Sequence, residues 1–250
     1  MKELLRTRLH RGDALLGTLI SLPSLETAEV LADAGFDWFF VDLEHTPMGV
    51  PEAQTILQAI GAQVDCVLRI PLNDEIWVKK ALDTGAPGIM VPQVNTAEDA
   101  RRLVGYCKYP LVGKRSVSGA RANRYGVKLA EYLQQANDEI AVVIQCEHIR
   151  AVENIEAIVA VEGIDAIFIG PYDLSASMGL IGQPGHPEVQ AAIERVRQVC
   201  QAHKMPLGIF AGSTALGKNY YKQGFSLVAT SGDTLMLGQV ARTILAELQG

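Results

Sequence analysis

The chain has 250 residues, 48% of them hydrophobic and 20% charged, which is the composition of an ordinary globular protein with room for one large domain or two small ones. Its net charge of -6, without any basic block, argues against nucleic acid as a partner. No apolar run approaches the about 20 residues that span a bilayer, and the N-terminal segment lacks the apolar core of a signal peptide, so we expect no membrane partner.

Short apolar runs alternate with amphipathic segments along the whole chain. The predicted strands cover residues 15–22, 38–44, 66–71, 88–94, 141–147, 166–170, 206–211 and 227–230. The predicted helices cover residues 25–34, 51–60, 75–84, 97–106, 129–135, 151–160, a segment from 187, 214–223 and a last segment around 237–248. This order predicts an α/β fold, a (β/α)8 TIM barrel in one domain over residues 1–250. A doubly wound sheet is the alternative, but no GxGxxG turn follows the first strand.

Two stretches break the regular alternation. Residues 107–138 contain GKRSVSGARANRYG, and a connection of this length usually serves a site or a subunit contact. Arg115 and Arg121 within it could bind the far carboxylate of a diacid, or belong to a solvated loop or a subunit contact. The DLSASMG segment after the sixth strand is interpreted as a loop.

Polar residues follow five successive predicted strands, where a TIM barrel carries its active site. They are Asp42, Glu44 and His45 after the second strand, Arg69 after the third, Gln93 after the fourth, Gln145 and Glu147 after the fifth, and Asp173 after the sixth. Each alone has an ordinary structural explanation, such as an ion pair or a helix cap. Together they predict a shared polar cavity, because charged residues are rarely buried without partners.

These residues suggest chemistry. Glu147 and Asp173, with Gln145, offer oxygen ligands that suit Mg2+ or Mn2+ better than zinc, since no Cys or His lies at ligand spacing. His45 is the natural general base, with Asp42 or Glu44 to orient it, and Arg69 can hold a carboxylate or a developing oxyanion. No strand-end lysine is placed to form a Schiff base, so the set suits a reaction that makes an enolate beside a carboxylate.

At these residues the sequence resembles the HpcH/HpaI family of metal-dependent pyruvate aldolases, in the phosphoenolpyruvate/pyruvate barrel superfamily. The resemblance covers nearly the whole chain, through FDWFFVDLEHTPMG, VLRIPLND, GAPGIMVPQVNTAEDA, GKRSVSGARANRYG, IQCEH and GPYDLSASMG. It implies a class II aldolase, an aldehyde-lyase that reversibly cleaves 4-hydroxy-2-oxo acids to pyruvate and an aldehyde through a metal-stabilised pyruvate enolate. Mg2+ or Mn2+ is the implied cofactor, with Co2+ as a further candidate.

The resemblance also implies roles for single residues. Glu147 and Asp173 would be the metal ligands, His45 the base supported by Asp42, and Arg69 the group that holds pyruvate. The other implied substrate contacts are Gln145, Gly170, Pro171, Tyr172, Asp173 and Phe210. Asp83 matches an acid that the family places near the base across a subunit contact. Family members often form hexamers with a swapped last helix, so a homo-oligomer, hexamer or trimer, is expected.

Other readings of the sequence stay open at this point. A citrate-lyase-like enzyme acting on a CoA thioester is the nearest alternative, and a non-catalytic metabolite-binding barrel is the alternative from another class. The segment GSTALGK at residues 212–218 imitates a phosphate-binding loop, but Asn219 stands where that motif needs Ser or Thr. Four scattered cysteines without a CxxC pair indicate reduced thiols and a cytoplasmic location.

Overall fold

Eight parallel strands close into a barrel in the computed structural model, which describes residues 3–249. Each strand pairs with its neighbour in sequence, and the last pairs with the first, which confirms the predicted (β/α)8 barrel. The strands are β1 Leu15–Ile20, β2 Trp38–Asp42, β3 Asp65–Arg69, β4 Gly88–Val91, β5 Ala141–Cys146, β6 Ala166–Ile169, β7 Leu207–Ala211 and β8 Leu227–Gly232.

Helices surround this barrel. They are α1 Leu5–Arg11, α2 Leu25–Asp33, α3 Val50–Ile60, α4 Glu75–Asp83, α5 Ala97–Cys107, α6 Leu129–Glu139, α7 Ile149–Glu153, α8 Ile155–Val159, α9 Pro171–Ser177, α10 Pro187–Ala202, α11 Thr214–Lys222 and α12 Asp233–Gln249, with a 3-10 turn at Arg121–Asn123. None of the helices within residues 3–249 combines the length and apolar character of a membrane span. The single domain over residues 1–250 and the swap of α12 between subunits stay predictions.

Two predicted elements differ from the structure, and one observed helix was not predicted. The segment predicted as a loop after β6 is the helix α9. Pro171 is its first residue, a position where a backbone N–H would have no helical partner, so proline is tolerated there. The predicted helix 151–160 is two short helices, α7 and α8, because the chain turns at Asn154, whose side chain donates to the Asn95 carbonyl. Helix α1 was not predicted, and its Leu5 and Leu9 are buried in the barrel's interior cluster.

Side chains along each strand point alternately into the barrel and toward the outer helices, so they form two apolar cores. The same alternation directs polar side chains to the C-terminal end of the barrel. In β2, Trp38 and Phe40 point into the barrel, whereas Phe39 and Val41 pack against the outer helices. The rings of Phe40 and Phe168 meet edge to face at 5.7 Å inside the barrel. The next inward position on β2 is Asp42, so the same period that fills the core places a carboxylate at the C-terminal mouth.

Gly208 on β7 tests how tightly the barrel is packed. A Cβ atom there would lie 2.6 Å from the Leu227 carbonyl oxygen and 2.6 Å from the Phe168 ring. Because backbone and a buried ring must both shift, we expect Gly208→Ala to destabilise the protein by about 1–3 kcal/mol. Thermal unfolding would measure this change.

Gly105→Ala is the matched control. A Cβ at Gly105, on α5, meets no atom within 4 Å, so alanine should stabilise the helix by about 0.5–1 kcal/mol. Equal melting temperatures for the two variants would contradict this account of the barrel packing.

Candidate active site

Four polar or charged side chains lie buried at the C-terminal mouth of the barrel. Their exposed fractions are 1% for Asp42, 7% for Arg69, 3% for Gln145 and 3% for Glu147. In β2 and β3, Asp42 lies directly opposite Arg69 in the strand register. The predicted polar cavity therefore exists, and it begins with a pair of neighbouring residues on paired strands.

Arg69 and Asp42 form a two-point ion pair. The Arg69 Nε and Nη2 atoms donate to the two carboxylate oxygens of Asp42 at 2.8 and 2.7 Å. Burial alone would raise the pKa of Asp42, but the hydrogen bonds and charge of Arg69 outweigh it and hold that pKa below its ordinary value. The guanidinium also lies 4.7 Å above the centre of the Phe40 ring. Arg69 is thus held in one orientation, with Nη1 directed at Gln145 Oε1, 3.5 Å away.

His45 lies at the rim, and Glu44 is the acid beside its ring. Glu44 Oε2 is 3.7 Å from His45 Nε2 and 3.2 Å from Arg69 Nε. The His45 side chain is 64% exposed, so it faces the entrance. The Asp42 carboxylate binds the Arg69 guanidinium and not the His45 ring. Asp42 supports His45 through the backbone instead, accepting the His45 N–H at 3.4 Å.

Glu147 follows β5 and is held from two sides. Its Oε1 accepts the backbone N–H of Gln93 at 3.0 Å, and its Oε2 accepts a hydrogen bond from Gln145. Burial raises the pKa of Glu147 to about 7, the Gln93 bond opposes this rise, and the nearby charges of Glu44 and Asp173 add to it. The negative charges of Glu44, Glu147 and Asp173 therefore disfavour one another, and Arg69 offsets this repulsion only in part.

Asp173 completes the acidic group from the first turn of α9. It is exposed at the pocket, next to Tyr172, while Gly170 and Pro171 before it are buried. Gly170 permits this arrangement, since a Cβ atom there would lie 3.1 Å from Glu147 Cβ and 3.3 Å from Gln145 Nε2. The β6–α9 turn consequently runs directly over the Glu147 carboxylate.

The predicted site residues line one pocket with a volume of about 180 Å3. Eight of its lining residues are predicted ones, namely His45, Arg69, Gln145, Gly170, Pro171, Tyr172, Asp173 and Phe210. Leu19, Phe40 and Phe168 form its apolar floor. Asp42 and Glu147 lie behind this lining, where they hold Arg69 and Gln145.

Asp83 is the predicted catalytic residue that the chain does not bring to this pocket. It ends α4, which leads back to the start of β4 at the opposite end of the barrel. Arg115 Nη2 and Ser118 Oγ each hold one of its carboxylate oxygens at 2.8 Å. Any contact of Asp83 with His45 would therefore involve two copies of the chain.

Arg115 and Arg121 do not line this pocket within one chain, so the diacid contact stays a prediction that would need a second copy of the chain. Arg115 is buried and bound to Asp83, and Arg121 donates to the carbonyls of Thr84 and Leu57 near the same end of the barrel. Both side chains are used to fix the long connection between α5 and α6 against α3 and α4. The sequence could not reveal this, because Arg in a Gly/Ser-rich stretch is typical of an exposed loop.

The donor set fits a hard divalent cation. Glu147 and Asp173 are carboxylates whose negative charges disfavour each other. Mg2+ is commonly bound by one or two carboxylates with substrate and water in the other positions. Within residues 3–249, no three His, Cys, Asp or Glu side chains are grouped so that they could hold a metal ion by themselves.

The sequence analysis missed the role of Gln93 and left open whether Asp42 or Glu44 lies beside His45. Gln93 has φ 55°, a left-handed conformation that is uncommon outside glycine and that aims its N–H at Glu147. Glu44 links His45 to Arg69. Both stood in the predicted strand-end set, but neither the backbone conformation nor the choice between Asp42 and Glu44 can be read from residue types.

Gly170→Ala should disturb the acidic group without unfolding the chain. The added methyl group presses on Glu147 and Gln145, which must move by a few tenths of an ångström. Since small displacements of positioning groups are costly, we expect kcat/KM to fall about tenfold. Steady-state kinetics and thermal unfolding of the same variant would check this, with Gly105→Ala as the control. Unchanged kinetics in Gly170→Ala would contradict the described geometry.

Comparison with known proteins places the chain among aldolases. The family model described as HpcH/HpaI aldolase/citrate lyase matches residues 18–238. The 2-dehydro-3,6-dideoxy-6-sulfogluconate aldolase of Pseudomonas putida is 43% identical, covering 97% of this chain and 95% of the relative. The 4-hydroxy-2-oxo-heptane-1,7-dioate aldolase of Shigella sonnei is 42% identical, covering 98% and 95%. A crystal structure of a HpcH/HpaI aldolase/citrate lyase family protein from Burkholderia cenocepacia superposes with TM-score 0.95 at 37% identity, covering 98% of this chain and 99% of that one.

These similarities extend over nearly the full chain, both in sequence and in structure. The prediction of an aldolase, a lyase that cleaves a carbon–carbon bond, is confirmed by the two relatives. The barrel, the strand-end residues and the matched range all lead to the same assignment. The chain belongs to the HpcH/HpaI aldolase/citrate lyase family.

Proposed function

We propose that the pocket at the barrel mouth binds pyruvate as its enolate and that the enzyme cleaves 4-hydroxy-2-oxo acids to pyruvate and an aldehyde, with Mg2+ or Mn2+, or else Co2+, as cofactor. The observation that carries this proposal is the fixed Arg69 guanidinium facing the same small pocket as Gln145 and Asp173. The Arg69 cation, hydrogen-bond donors and the Asp173 carboxylate thus converge on a space with an apolar floor, and Glu147 lies behind Gln145.

Arg69 would hold the pyruvate half. Its Nε and Nη2 are used by Asp42, while Nη1 faces Gln145 and the pocket. A guanidinium held this way is preorganised to stabilise the negative charge that develops on the enolate oxygen. The backbone N–H groups of Tyr172 and Asp173 lie in the first turn of α9, where a helix has no carbonyl partner for them, and they would receive the pyruvate carboxylate.

Glu147 and Asp173 would hold the divalent cation, with Gln145 beside them. Such a cation, when bound, supplies Lewis-acid polarisation of the 2-oxo group. The chain's own contribution is to keep Glu147 fixed through Gln93 and Gln145, and to keep water from the apolar floor of Leu19, Phe40 and Phe168.

His45 would act as the base. In the cleavage direction it accepts the proton of the 4-hydroxyl while the C3–C4 bond breaks, which leaves an aldehyde and the enolate of pyruvate, and a proton then returns to C3. Imidazole is the side chain that changes charge near neutral pH, and Glu44, 3.7 Å from Nε2, would orient the ring and stabilise its protonated form.

We also propose a homo-oligomer, a hexamer or trimer, and a cytoplasmic location. Four apolar side chains of α12 are exposed by 51–79%, namely Leu237, Val240, Ile244 and Leu248. A contiguous exposed apolar face of this kind is typical of an interaction surface. A second copy covering this face would account for the exposure, and could also bring Asp83 near His45 of a neighbour. The four buried free cysteines support a reducing compartment. Light scattering after gel filtration would measure the assembly.

Metal removal tests the proposed reaction. Purified protein with Mn2+ or Mg2+ should release pyruvate from 4-hydroxy-2-oxo acids, detected with lactate dehydrogenase and NADH. EDTA should abolish this release, and added Mn2+ should restore it, because two carboxylates alone cannot stabilise the enolate. Pyruvate release that is equally fast in EDTA would contradict the proposal.

A further inference from the structure

Two aromatic side chains separate the pyruvate pocket from the space beyond its rim. The pocket holds about 180 Å3, which is below the roughly 300–1,000 Å3 of sites that enclose a whole small molecule, so the aldehyde half of the substrate extends outward. Two outer cavities lie there, one of about 300 Å3 beside α9, α10 and α11, and one of about 610 Å3 between the ends of β7 and β8 and α12. Among residues 3–249, Tyr172 and Phe210 line all three spaces.

The two rings come from neighbouring strand ends. Tyr172 is the second residue of α9, directly after β6, and Phe210 lies in β7, which pairs with β6. The Tyr172 side chain reaches as far as the turn after β7, where a Cβ atom on Gly212 would lie 3.8 Å from the tyrosine hydroxyl. Gly212 itself lines both outer cavities. The phenol therefore extends from the end of β6 to the end of β7, at the point where the three spaces meet.

Of the two rings, only that of Phe210 belongs to the core. Phe210 packs against the apolar cluster inside the barrel. Tyr172 is 55% exposed, and its hydroxyl has no hydrogen-bond partner within residues 3–249. Its backbone is held independently of the ring, because the buried Ser175 hydroxyl donates to the Tyr172 carbonyl at 2.7 Å. We therefore expect α9 to keep its position when the Tyr172 ring is removed.

We infer that Tyr172 is a specificity-determining residue, whose ring sets the width of the aldehyde that the enzyme accepts. An aldehyde with a narrow, unbranched chain passes between the Tyr172 and Phe210 rings into an outer cavity. An aldehyde that carries a ring or a branch beside its carbonyl group meets the phenol before its carbonyl carbon reaches C3 of the enolate. This inference rests on the proposed function, because the outer cavities adjoin the proposed pyruvate pocket.

Aldol addition to two neutral aldehydes of different width tests the inference. Purified enzyme with pyruvate and Mn2+ is given propanal or cyclohexanecarbaldehyde, and product formation is followed by proton NMR. The quantity compared is the wide-to-narrow ratio, kcat/KM for cyclohexanecarbaldehyde divided by kcat/KM for propanal. In Tyr172→Ala this ratio should rise by about tenfold to a hundredfold, the selectivity that a small change of space in an apolar site supplies. Because the expected result is a gain of activity toward the wide aldehyde, a partly unfolded variant cannot produce it.

Two variants serve as controls. Tyr172→Phe keeps the ring and removes only the hydroxyl group. Ile181→Ala truncates an apolar side chain that is 79% exposed, outside the described linings of the pocket and of both outer cavities. In each of them the wide-to-narrow ratio should stay within about twofold of that of the unsubstituted enzyme.

The outcomes separate this inference from the proposed function. An unchanged ratio in Tyr172→Ala, or an equal rise in Tyr172→Phe, would overturn the inference alone. Metal-dependent proton exchange at pyruvate C3 needs no aldehyde, so it reports on the pyruvate pocket by itself. Absence of this exchange in the unsubstituted enzyme would overturn the proposed function as well.

Discussion

Replacing Glu147 with Gln is expected to abolish metal-dependent turnover while leaving the fold intact. The side chain is 3% exposed and Gln keeps its shape, so the packing around Gln145 and Gly170 is preserved. The variant removes the negative charge that would hold the cation, and we expect enolisation of pyruvate to fall by about a thousandfold. Mn2+ binding, measured by electron paramagnetic resonance, should weaken in parallel.

Stability should not fall with activity in this variant. The pKa of Glu147 is raised by burial and by the charges of Glu44 and Asp173, so its charged form is disfavoured in the protein alone, and removing that charge should not lower the melting temperature. Glu153→Gln, on the exposed side of α7, is the control and should change neither measurement. Full turnover and full Mn2+ affinity in Glu147→Gln would show that Glu147 is only a structural residue.

Replacing Arg69 with Gln is expected to cost both activity and stability. Loss of the guanidinium leaves Asp42, 1% exposed, without its ion-pair partner, which should destabilise the protein by about 3–5 kcal/mol. It also removes the group that would stabilise the enolate, so kcat/KM should fall by about a hundredfold or more. Urea unfolding and pyruvate-release kinetics would measure the two effects separately.

A double variant separates these two roles of Arg69. In Asp42→Asn/Arg69→Gln both charges are gone, and two neutral amides can bond to each other across the same strand register. We expect this variant to recover much of the lost stability but none of the lost activity. Recovery of activity together with stability would mean that Arg69 supports the fold alone.

The barrel could be predicted because its strands carry a strong local signal. Continuous apolar runs such as residues 141–144 are typical of strands buried on both faces, and every one of the eight strands was found within a few residues. Several predicted strands extend beyond the observed C-terminal end, as at Glu44, because the polar site residues continue the extended pattern past the last strand pairing, whereas β8 was predicted too short.

Contacts between distant side chains could not be predicted in the same way. The gathering of Asp42, Arg69 and Gln145 at one mouth follows from strand order and period alone. That Asp42 would bind Arg69 rather than the His45 ring depends on register and rotamer, which residue types do not encode. The burial of Arg115 depends on how a long connection folds back on α4, for which the sequence has no periodic signal.

Deuterium exchange into the methyl group of pyruvate is the most direct test of the central claim, that this pocket makes the pyruvate enolate with a divalent cation. The purified enzyme is incubated with pyruvate in D2O, with Mg2+ or Mn2+ and in parallel with EDTA, and the C3 protons are followed by proton NMR. The account predicts exchange with either metal ion and none in EDTA, without any choice of aldehyde. Absence of exchange in a sample with bound metal, or exchange that persists in EDTA, would contradict it.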